Sequence, residues 1–127
     1  MIGRTRVLIA LSDPASRRAL SNILPQHDLE PVFAATLSEA RAVLASERVA
    51  LVVCEDILID GSYRDLLPVA QAARGDLPVV VTSRVDNPEE YLEAMKLGAF
   101  DYVAAPFSRT ELDRIVHNAL SRALVAF

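Results

Sequence analysis

Residues Val49–Gly61 (VALVVCEDILIDG) decide the predicted fold. The stretch opens with an unbroken apolar run of strand length, which is typical of a strand buried on both faces at the centre of a parallel sheet. The run ends at two adjacent carboxylates, Glu55 and Asp56, and a short loop then turns at Asp60-Gly61 into a helical pattern. Ligand-binding sites in open α/β sheets form outside the carboxyl ends of the strands, so the central strand places Glu55 at a candidate site.

Four other segments have the length and apolar content of strands. Helical segments separate and follow the strands, so strands and helices alternate five times. That alternation predicts an α/β fold in which a parallel sheet carries helices on both faces. We expect one domain over residues 1–127, without repeats or an internal linker. The four additional predicted strands are Arg6–Leu11, Leu29–Ala35, Pro78–Thr82 and Phe100–Ala104.

Capping residues mark the starts of four predicted helices, because Ser, Thr, Asp and Asn side chains accept hydrogen bonds from the first free amides of a helix. The helix after Gly61 is less regular, since Pro68 lies among its apolar residues and removes a backbone donor. We expect that helix to be kinked or to begin late. The four capped starts are Ser12 or Asp13 before Pro14, Thr36 with Glu39, Asn87 before Pro88, and Ser108 with Glu111.

The composition excludes several classes of protein. Hydrophobic residues make up 52% of the 127 residues, too many for a disordered chain. The formal charge of −4 combines scattered charges of both signs, so we expect no nucleic-acid surface in this segment. The single cysteine, Cys54, lies within the apolar run and is expected to be a core residue. No apolar run is long enough to span a membrane, and we expect a cytoplasmic protein without membrane contact.

Polar side chains follow the predicted strands at their carboxyl ends. No glycine-rich phosphate loop follows the first strand, which argues against a nucleotide site. His27 and His117 have neither metal-ligand nor catalytic spacing, so we interpret both as surface residues. The residues that a parallel sheet would gather at one edge are Ser12, Asp13, Glu55, Asp56, Thr82, Ser83, Ala105 and Pro106.

The register of several motifs resembles the receiver domain of bacterial two-component response regulators. Val7–Ile9 is similar to the first strand of that family, Asp60-Gly61 to its acid-glycine turn, and Val79–Ser83 to its fourth strand. Leu97–Phe107 (LGAFDYVAAPF) is the closest match. The resemblance implies a flavodoxin-like (βα)5 fold, which is a doubly wound three-layer sandwich with strand order 2-1-3-4-5. It also implies a function in phosphorelay signal transduction.

The resemblance also identifies the acidic positions of the family, and most of them have changed. The two acidic residues that hold Mg²⁺ in the family correspond to Leu11 and Ser12, and only the neighbouring Asp13 is acidic. The phosphoacceptor aspartate of the family aligns with Glu55. An alternative register places Asp56 there, but it would move the charged Glu55 into the buried strand, so we favour Glu55.

Of the three remaining functional positions of the family, one has lost its residue type and two have kept theirs. The lysine of the family aligns with Ala105, whereas Thr82 stands at the switch hydroxyl and Tyr102 at the switch aromatic. The residues that would neutralise a phosphoryl group are therefore missing. We expect no metal site, no Mg²⁺ binding, no cofactor and no enzymatic activity, and we hypothesise a pseudo-receiver that works without phosphorylation. We also expect Glu55 to accept a hydrogen bond from Thr82, directly or through one water, and thereby to hold Tyr102 inward.

Other functions and several partners stay open. One alternative is a receiver that is still phosphorylated, at Asp56 or Asp13, and another is a flavodoxin-like protein that binds a small molecule. In the family, the surface of the fourth helix, fifth strand and fifth helix commonly carries dimer or output contacts. We hypothesise a protein partner, a downstream output domain or a homodimer at this face. The residues behind this hypothesis are Tyr91, Met95 and Tyr102, with Leu124, Val125 and Phe127 at the apolar end of the chain.

Overall fold

A parallel five-stranded sheet forms the centre of the molecule, of which the computed structural model describes residues 5–125. The strands in chain order are β1 (Thr5–Ala10), β2 (Leu29–Ala34), β3 (Val49–Glu55), β4 (Ile57–Leu58), β5 (Gly61–Ser62), β6 (Val79–Ser83) and β7 (Asp101–Ala104). The sheet has the order β2-β1-β3-β6-β7, while β4 and β5 form a separate antiparallel pair. The five predicted strands and their order are confirmed, and the β4–β5 pair was not predicted.

Helices cover both faces of this sheet. They are α1 (Pro14–Ile23), α2 (Leu37–Ser46), α3 (Tyr63–Ala73), α4 (Pro88–Lys96) and α5 (Arg109–Val125), and a short 3₁₀ helix, Leu24–His27, directly follows α1. Residues of α2, α3 and α4 pack on one face of the sheet, and residues of α1 and α5 pack on the other. The predicted three-layer α/β architecture is therefore confirmed. Within the described residues, no helix is both long and apolar enough to cross a bilayer.

Side-chain caps hold the helices next to the strand ends. Asp13, rather than Ser12, caps α1, and its Oδ2 accepts a hydrogen bond from the Ser16 amide at 3.1 Å. Asp60 supplies an additional cap that was not predicted, because its carboxylate accepts hydrogen bonds from the first amide of α2, that of Leu37, at 2.6 Å and from the next amide at 3.0 Å. These bonds, chiefly the one from Leu37, hold the pKa of Asp60 below its usual value. The predicted caps at Thr36, Asn87 and Ser108 are confirmed.

Of the two alternatives expected from Pro68, a kink or a late start of α3, the late start is wrong and the kink stays a prediction. The helix begins at Tyr63, behind a capping box in which Ser62 and Asp65 satisfy each other's backbone amides. A capping box satisfies two amides that the first turn leaves free, so it sets the helix start well before the proline. Pro68 lies inside the helix, where it removes one backbone bond, and the buried apolar residues around it offset that loss.

The central strand β3 is buried on both faces, as its apolar run predicts. Its residues Leu51–Cys54 are at most 4% exposed. Burial raises the pKa of the Cys54 thiol to about 12, and the neighbouring charges of Glu55 and Asp56 add to the increase. The prediction that Cys54 is a core residue is confirmed. The buried apolar segment of the strand therefore ends at the residue where the candidate site begins.

Candidate functional site at the carboxyl ends of the strands

A small cleft of about 130 Å³ lies where the parallel strands end. It brings together most of the positions that the sequence singles out. Ser12 lies next to this cleft and contacts its wall through Glu55, whereas Tyr102 lines a neighbouring groove. The residues that line the cleft are Leu11, Asp13, Ser16, Glu55, Asp56, Thr82, Ser83, Arg84, Val85 and Ala105.

Glu55 is the last residue of β3, and it stands in register with Thr82 of β6. Its Oε1 accepts hydrogen bonds from the backbone amide and from the hydroxyl of Ser12, each at 2.7 Å. The prediction was a hydrogen bond from Thr82 to Glu55, directly or through one water; the direct bond is wrong, and the bond through a water stays a prediction. The Glu55 carboxylate is turned toward Ser12 because Ser12 presents two donors, its backbone amide and its hydroxyl, to the same charged oxygen.

Asp56 lies one residue beyond β3 and forms the carboxylate–hydroxyl contact with β6. Its Oδ2 accepts a hydrogen bond from the Ser83 hydroxyl at 3.0 Å, and its Oδ1 accepts one from the Ile57 amide at 3.0 Å. The backbone amide of Asp56 donates to the Thr82 carbonyl at 2.7 Å. No role was predicted for Ser83. The available signal was the pair of adjacent hydroxyls, Thr82 and Ser83, facing a pair of adjacent carboxylates.

Asp13 lies at the cleft but is occupied by local partners. Its Oδ2 accepts hydrogen bonds from the amide and hydroxyl of Ser16, and its Oδ1 forms an ion pair with Arg84 at 3.0 Å. The Ser16 hydrogen bonds, with a smaller contribution from the Arg84 charge, hold the pKa of Asp13 below its usual value. Arg84, which reaches across the cleft from the loop after β6, was not predicted to be a site residue.

The donor set does not fit the Mg²⁺ site that the resemblance implies. Mg²⁺ requires oxygen ligands in near-octahedral geometry, usually with one or two carboxylates. Leu11, at the first acidic position, is 1% exposed and belongs to the hydrophobic core, while Ser12 gives both its amide and its hydroxyl to Glu55. Among the described side chains, no three acidic, histidine or cysteine residues converge on a point where a metal ion would fit. The absence of Mg²⁺ binding stays a prediction.

The predicted switch residues, Thr82 and Tyr102, and the predicted lysine-equivalent residue, Ala105, differ in their surroundings. Thr82 is 4% exposed, and Tyr102 is 8% exposed, which is the inward position expected of it. The Tyr102 ring packs edge-to-face against Tyr91, with 6.3 Å between the ring centres. Ala105 brings no charge to the cleft, and its backbone amide donates to the Ser83 carbonyl at 2.7 Å. The aromatic is held inward by packing, without a lysine in the cleft.

A polar cluster ties α3 to α4 beside the cleft. The buried Tyr63 hydroxyl donates to Glu90 at 2.9 Å, and Arg64 forms a two-oxygen ion pair with the same carboxylate at 2.9 and 3.0 Å. Arg64 also reaches Glu93 at 3.2 Å. Burial, followed by the contact with Glu90, raises the pKa of Tyr63 to about 12. We call these four residues, Tyr63, Arg64, Glu90 and Glu93, the α3–α4 clamp.

Comparisons with known sequences agree with the motifs of the chain. Residues 7–117 match the response regulator receiver domain family. The chain is 33% identical over 121 residues to the DNA-binding transcriptional regulator NtrC of Rhizobium meliloti (strain 1021), which covers 95% of this chain and 25% of the relative. It is 30% identical over 119 residues to the response regulator protein PilR of Pseudomonas aeruginosa, which covers 94% of this chain and 27% of that relative. The chain thus spans about a quarter of the length of these curated relatives.

Solved structures show the same fold. The CheY-like response regulator receiver domain protein of Methanospirillum hungatei JF-1 superimposes with a TM-score of 0.87 at 22% identity, over 98% of this chain and 100% of that one. The beryllofluoride-activated NtrC4 receiver domain dimer superimposes with a TM-score of 0.86 at 23% identity, over 93% of this chain and 98% of that one. At these identities the likeness extends to the fold alone, which is flavodoxin-like.

Proposed function

The chain belongs to the response regulator receiver domain family. We propose that it is the receiver module of a two-component response regulator and that it transmits a signal without being phosphorylated. The observation that carries this proposal is the bond between Glu55 and Ser12. A residue at the acceptor position is already bound by a residue at a metal-ligand position. On this proposal the module acts through contacts with other proteins, and it is a signalling component rather than an enzyme.

The chemistry of phosphoryl transfer supports the proposal. Transfer to a carboxylate depends almost entirely on positioning and on neutralising the charge of the phosphoryl oxygens. Leu11 and Ser12 offer no carboxylate for a divalent cation, and Ala105 offers no ammonium group. Glu55 is also one methylene longer than aspartate, so its carboxylate would be misplaced relative to a bound donor. Arg84 is the cation at the cleft, and it pairs with Asp13 instead of facing Glu55.

We predict that the protein gives no retarded band in a phosphate-affinity gel after incubation with Mg²⁺ and acetyl phosphate. The reason is that Leu11 and Ser12 replace the acidic pair that would hold Mg²⁺ and that Ala105 replaces the lysine. A receiver with the intact acidic pair, aspartate and lysine, treated in the same way, verifies that the donor is active. A retarded band for the wild type would contradict the proposal. Its loss in Asp56→Asn or in Asp13→Asn would then identify the acceptor.

The two alternatives fit the cleft unequally. Asp56 lines the cleft and faces a hydroxyl, so phosphorylation at Asp56 is the second candidate function, whereas Asp13 is engaged by Ser16 and Arg84. Pockets for small molecules usually have volumes of about 300–1,000 Å³. The strand-end cleft, at about 130 Å³, gives no support to binding of a flavin or nucleotide there.

The partner is a further part of this proposal. The relatives carry this module in chains about four times as long, and the similar NtrC4 receiver domain is described as a dimer. On α4, Tyr91 is 41% exposed and Leu92 is 66% exposed, whereas Tyr102 is buried. Leu124, Val125 and Phe127 fall outside the residues whose side chains are described. We infer that the surface of α4, β7 and α5 binds an output domain or a second copy of the chain.

We predict that Leu92→Glu weakens self-association of the full-length protein at least about tenfold, or about 1.4 kcal/mol. A charge at an apolar contact must lose its water, which opposes association. Sedimentation equilibrium of wild type and variant gives the two dissociation constants. Ile59→Glu is the matched control, because Ile59 is 89% exposed in the loop between β4 and β5, outside this face. A wild type that stays monomeric at high concentration, or equal weakening by both variants, would rule out a dimer at this face.

A further inference from the structure

Another cavity, of about 570 Å³, lies at the opposite edge of the sheet, where β1 and β3 begin. β3 is seven residues long, so this cavity lies about 20 Å from the strand-end cleft. It is therefore separate from the candidate site, and binding there does not require a phosphorylated residue. We call it the amino-end cavity, and its walls include Thr5, Arg6, Glu47, Arg48, Ala50 and Arg74.

An irregularity in the sheet lies at this edge. Arg6 pairs with Val49 and the next residue, Val7, pairs with Leu51, so Ala50 is an extra residue in β3. An extra residue of this kind bends its strand and interrupts the ladder of hydrogen bonds between the strands. Ala50 lines the amino-end cavity. The cavity is thus built on the backbone of the two central strands, and not on surface side chains alone.

Three arginines among the described residues give the cavity its charge. Arg48 is exposed, and no ion pair or side-chain hydrogen bond joins it to another described residue. Arg6 uses its Nη1 for Glu47, and Arg74 uses its Nε for Asp76. Because a guanidinium group has five N–H donors, both paired arginines keep donors that no described residue binds.

Glu47 lowers the positive charge of the cavity without presenting an oxygen to a ligand. Its Oε1 pairs with Arg6, and its Oε2 is buried, without a hydrogen-bond partner among the described residues. The walls hold three arginines and one glutamate, which gives a net charge of +2 in a chain whose formal charge is −4. An anion in the cavity would therefore meet guanidinium groups and not a free carboxylate oxygen.

An adjoining cavity of about 460 Å³ adds apolar walls. It shares Arg48 and Arg74 with the amino-end cavity and lies between the ends of α2 and α3. Both volumes fall within the range of about 300–1,000 Å³ that is usual for small-molecule pockets. A molecule with an anionic group and an apolar part would contact both cavities. The apolar walls are Leu44, Ala45, Ala73 and Leu77.

We propose that the amino-end cavity binds a small organic phosphate. Its phosphoryl group lies among the three arginines, and its apolar part lies between the ends of α2 and α3. A phosphate monoester carries a charge of about −1.5 to −2 and three acceptor oxygens, so it can bind several guanidinium groups at once. A carboxylate has two oxygens and one charge, and it fits this donor set less well. Such a ligand would give the module an input that does not use the strand-end cleft.

An NMR titration of the chain with phenyl phosphate tests this site. We expect saturable shifts of the Arg48, Ala50 and Arg74 amides at millimolar concentration, and weaker binding of inorganic phosphate, which lacks an apolar part. Arg48→Ala should weaken the binding of phenyl phosphate at least about tenfold, because a hydrogen bond to a charged group is lost. Arg74→Gln should weaken it in the same direction. Arg18→Ala removes the same charge from an exposed position on α1, and as the matched control it should change the affinity less than about twofold.

Four results would overturn the proposal. They are the absence of saturable shifts with either probe, shifts confined to the strand-end cleft, equal weakening by Arg48→Ala and Arg18→Ala, and equal affinities for phenyl phosphate and inorganic phosphate. Arg48 is exposed and unpaired within the described part of the chain, so its substitution should leave the fold intact, and circular dichroism checks this. The titration contains no Mg²⁺, so its outcome does not depend on whether the wild type is phosphorylated in the gel.

Discussion

Leu11→Asp is expected to lower the free energy of unfolding by about 3–5 kcal/mol at neutral pH, the range for an uncompensated buried charge. Leu11 is 1% exposed and packs in the core between the sheet and the helices α1 and α5. In the family this is the first of two acidic positions, so the backbone of the fold can accommodate an acidic side chain here. In this chain the position has become part of the core, and a carboxylate would lose its water without gaining a cation.

The pH dependence of the stability of Leu11→Asp separates the cost of burying a charge from the cost of the altered side-chain shape. Desolvation raises the pKa of the new aspartate in the folded state above its unfolded value of about 3.9. The electrostatic cost is therefore absent below the unfolded pKa, grows as the pH rises toward the folded pKa, and is complete above it. Leu11→Asn is the matched neutral control and should destabilise the protein without this pH dependence.

Urea unfolding of both Leu11 variants at acidic and neutral pH measures the effect. Equal stabilities of the aspartate and asparagine variants at neutral pH would show that residue 11 is solvated and not part of the core. A full recovery of stability in millimolar Mg²⁺ would show that one added carboxylate completes a metal site. Either result would contradict the reading of this position as core and would weaken the proposed function.

Glu90→Ala is expected to lower the free energy of unfolding by about 1–3 kcal/mol, because it leaves the buried Tyr63 hydroxyl without its acceptor. The same variant should lower the pKa of Tyr63 from about 12, since Glu90 disfavours the phenolate by hydrogen bonding to the hydroxyl and by its charge. Burial is the larger cause of the shift and remains in the variant, so the pKa should stay above its ordinary value. The two effects together would show that the Tyr63–Glu90 hydrogen bond helps to hold α3 against α4.

Glu93→Ala is the matched control for this prediction. Glu93 pairs with Arg64 at 3.2 Å and is partly exposed, and such surface pairs contribute about 0–1 kcal/mol. Urea unfolding and ultraviolet titration of the tyrosines, compared for the two variants and the wild type, give the stability and the pKa. If both glutamates have the same effect, the α3–α4 clamp is a set of surface charges and Tyr63 is stabilised by packing alone.

Much of the fold could be predicted from local sequence patterns, chiefly apolar runs and capping residues. The apolar run ending at Cys54 predicts a central strand because a strand buried on both faces needs apolar residues at every position. The capping-box spacing of Ser62 and Asp65 marks the start of α3, and Pro68 removes one backbone bond without delaying that start. The two-residue strands β4 and β5 were missed because so short a pair has no periodicity of its own.

The positions of the site were also predictable, but the partners of its carboxylates were not. The order of strands places Leu11, Glu55 and Ala105 at one edge of the sheet, so the sequence alone determines which charges this cleft lacks. Only the tertiary structure decides that Glu55 binds Ser12, that Asp56 binds Ser83 and that Asp13 pairs with Arg84. These pairs are 43, 27 and 71 residues apart in the chain, and each competes with other donors at the same strand ends. A hydrogen bond depends on tenths of an ångström and on angle, and loop conformations set those distances after the sheet has brought the residues to one edge.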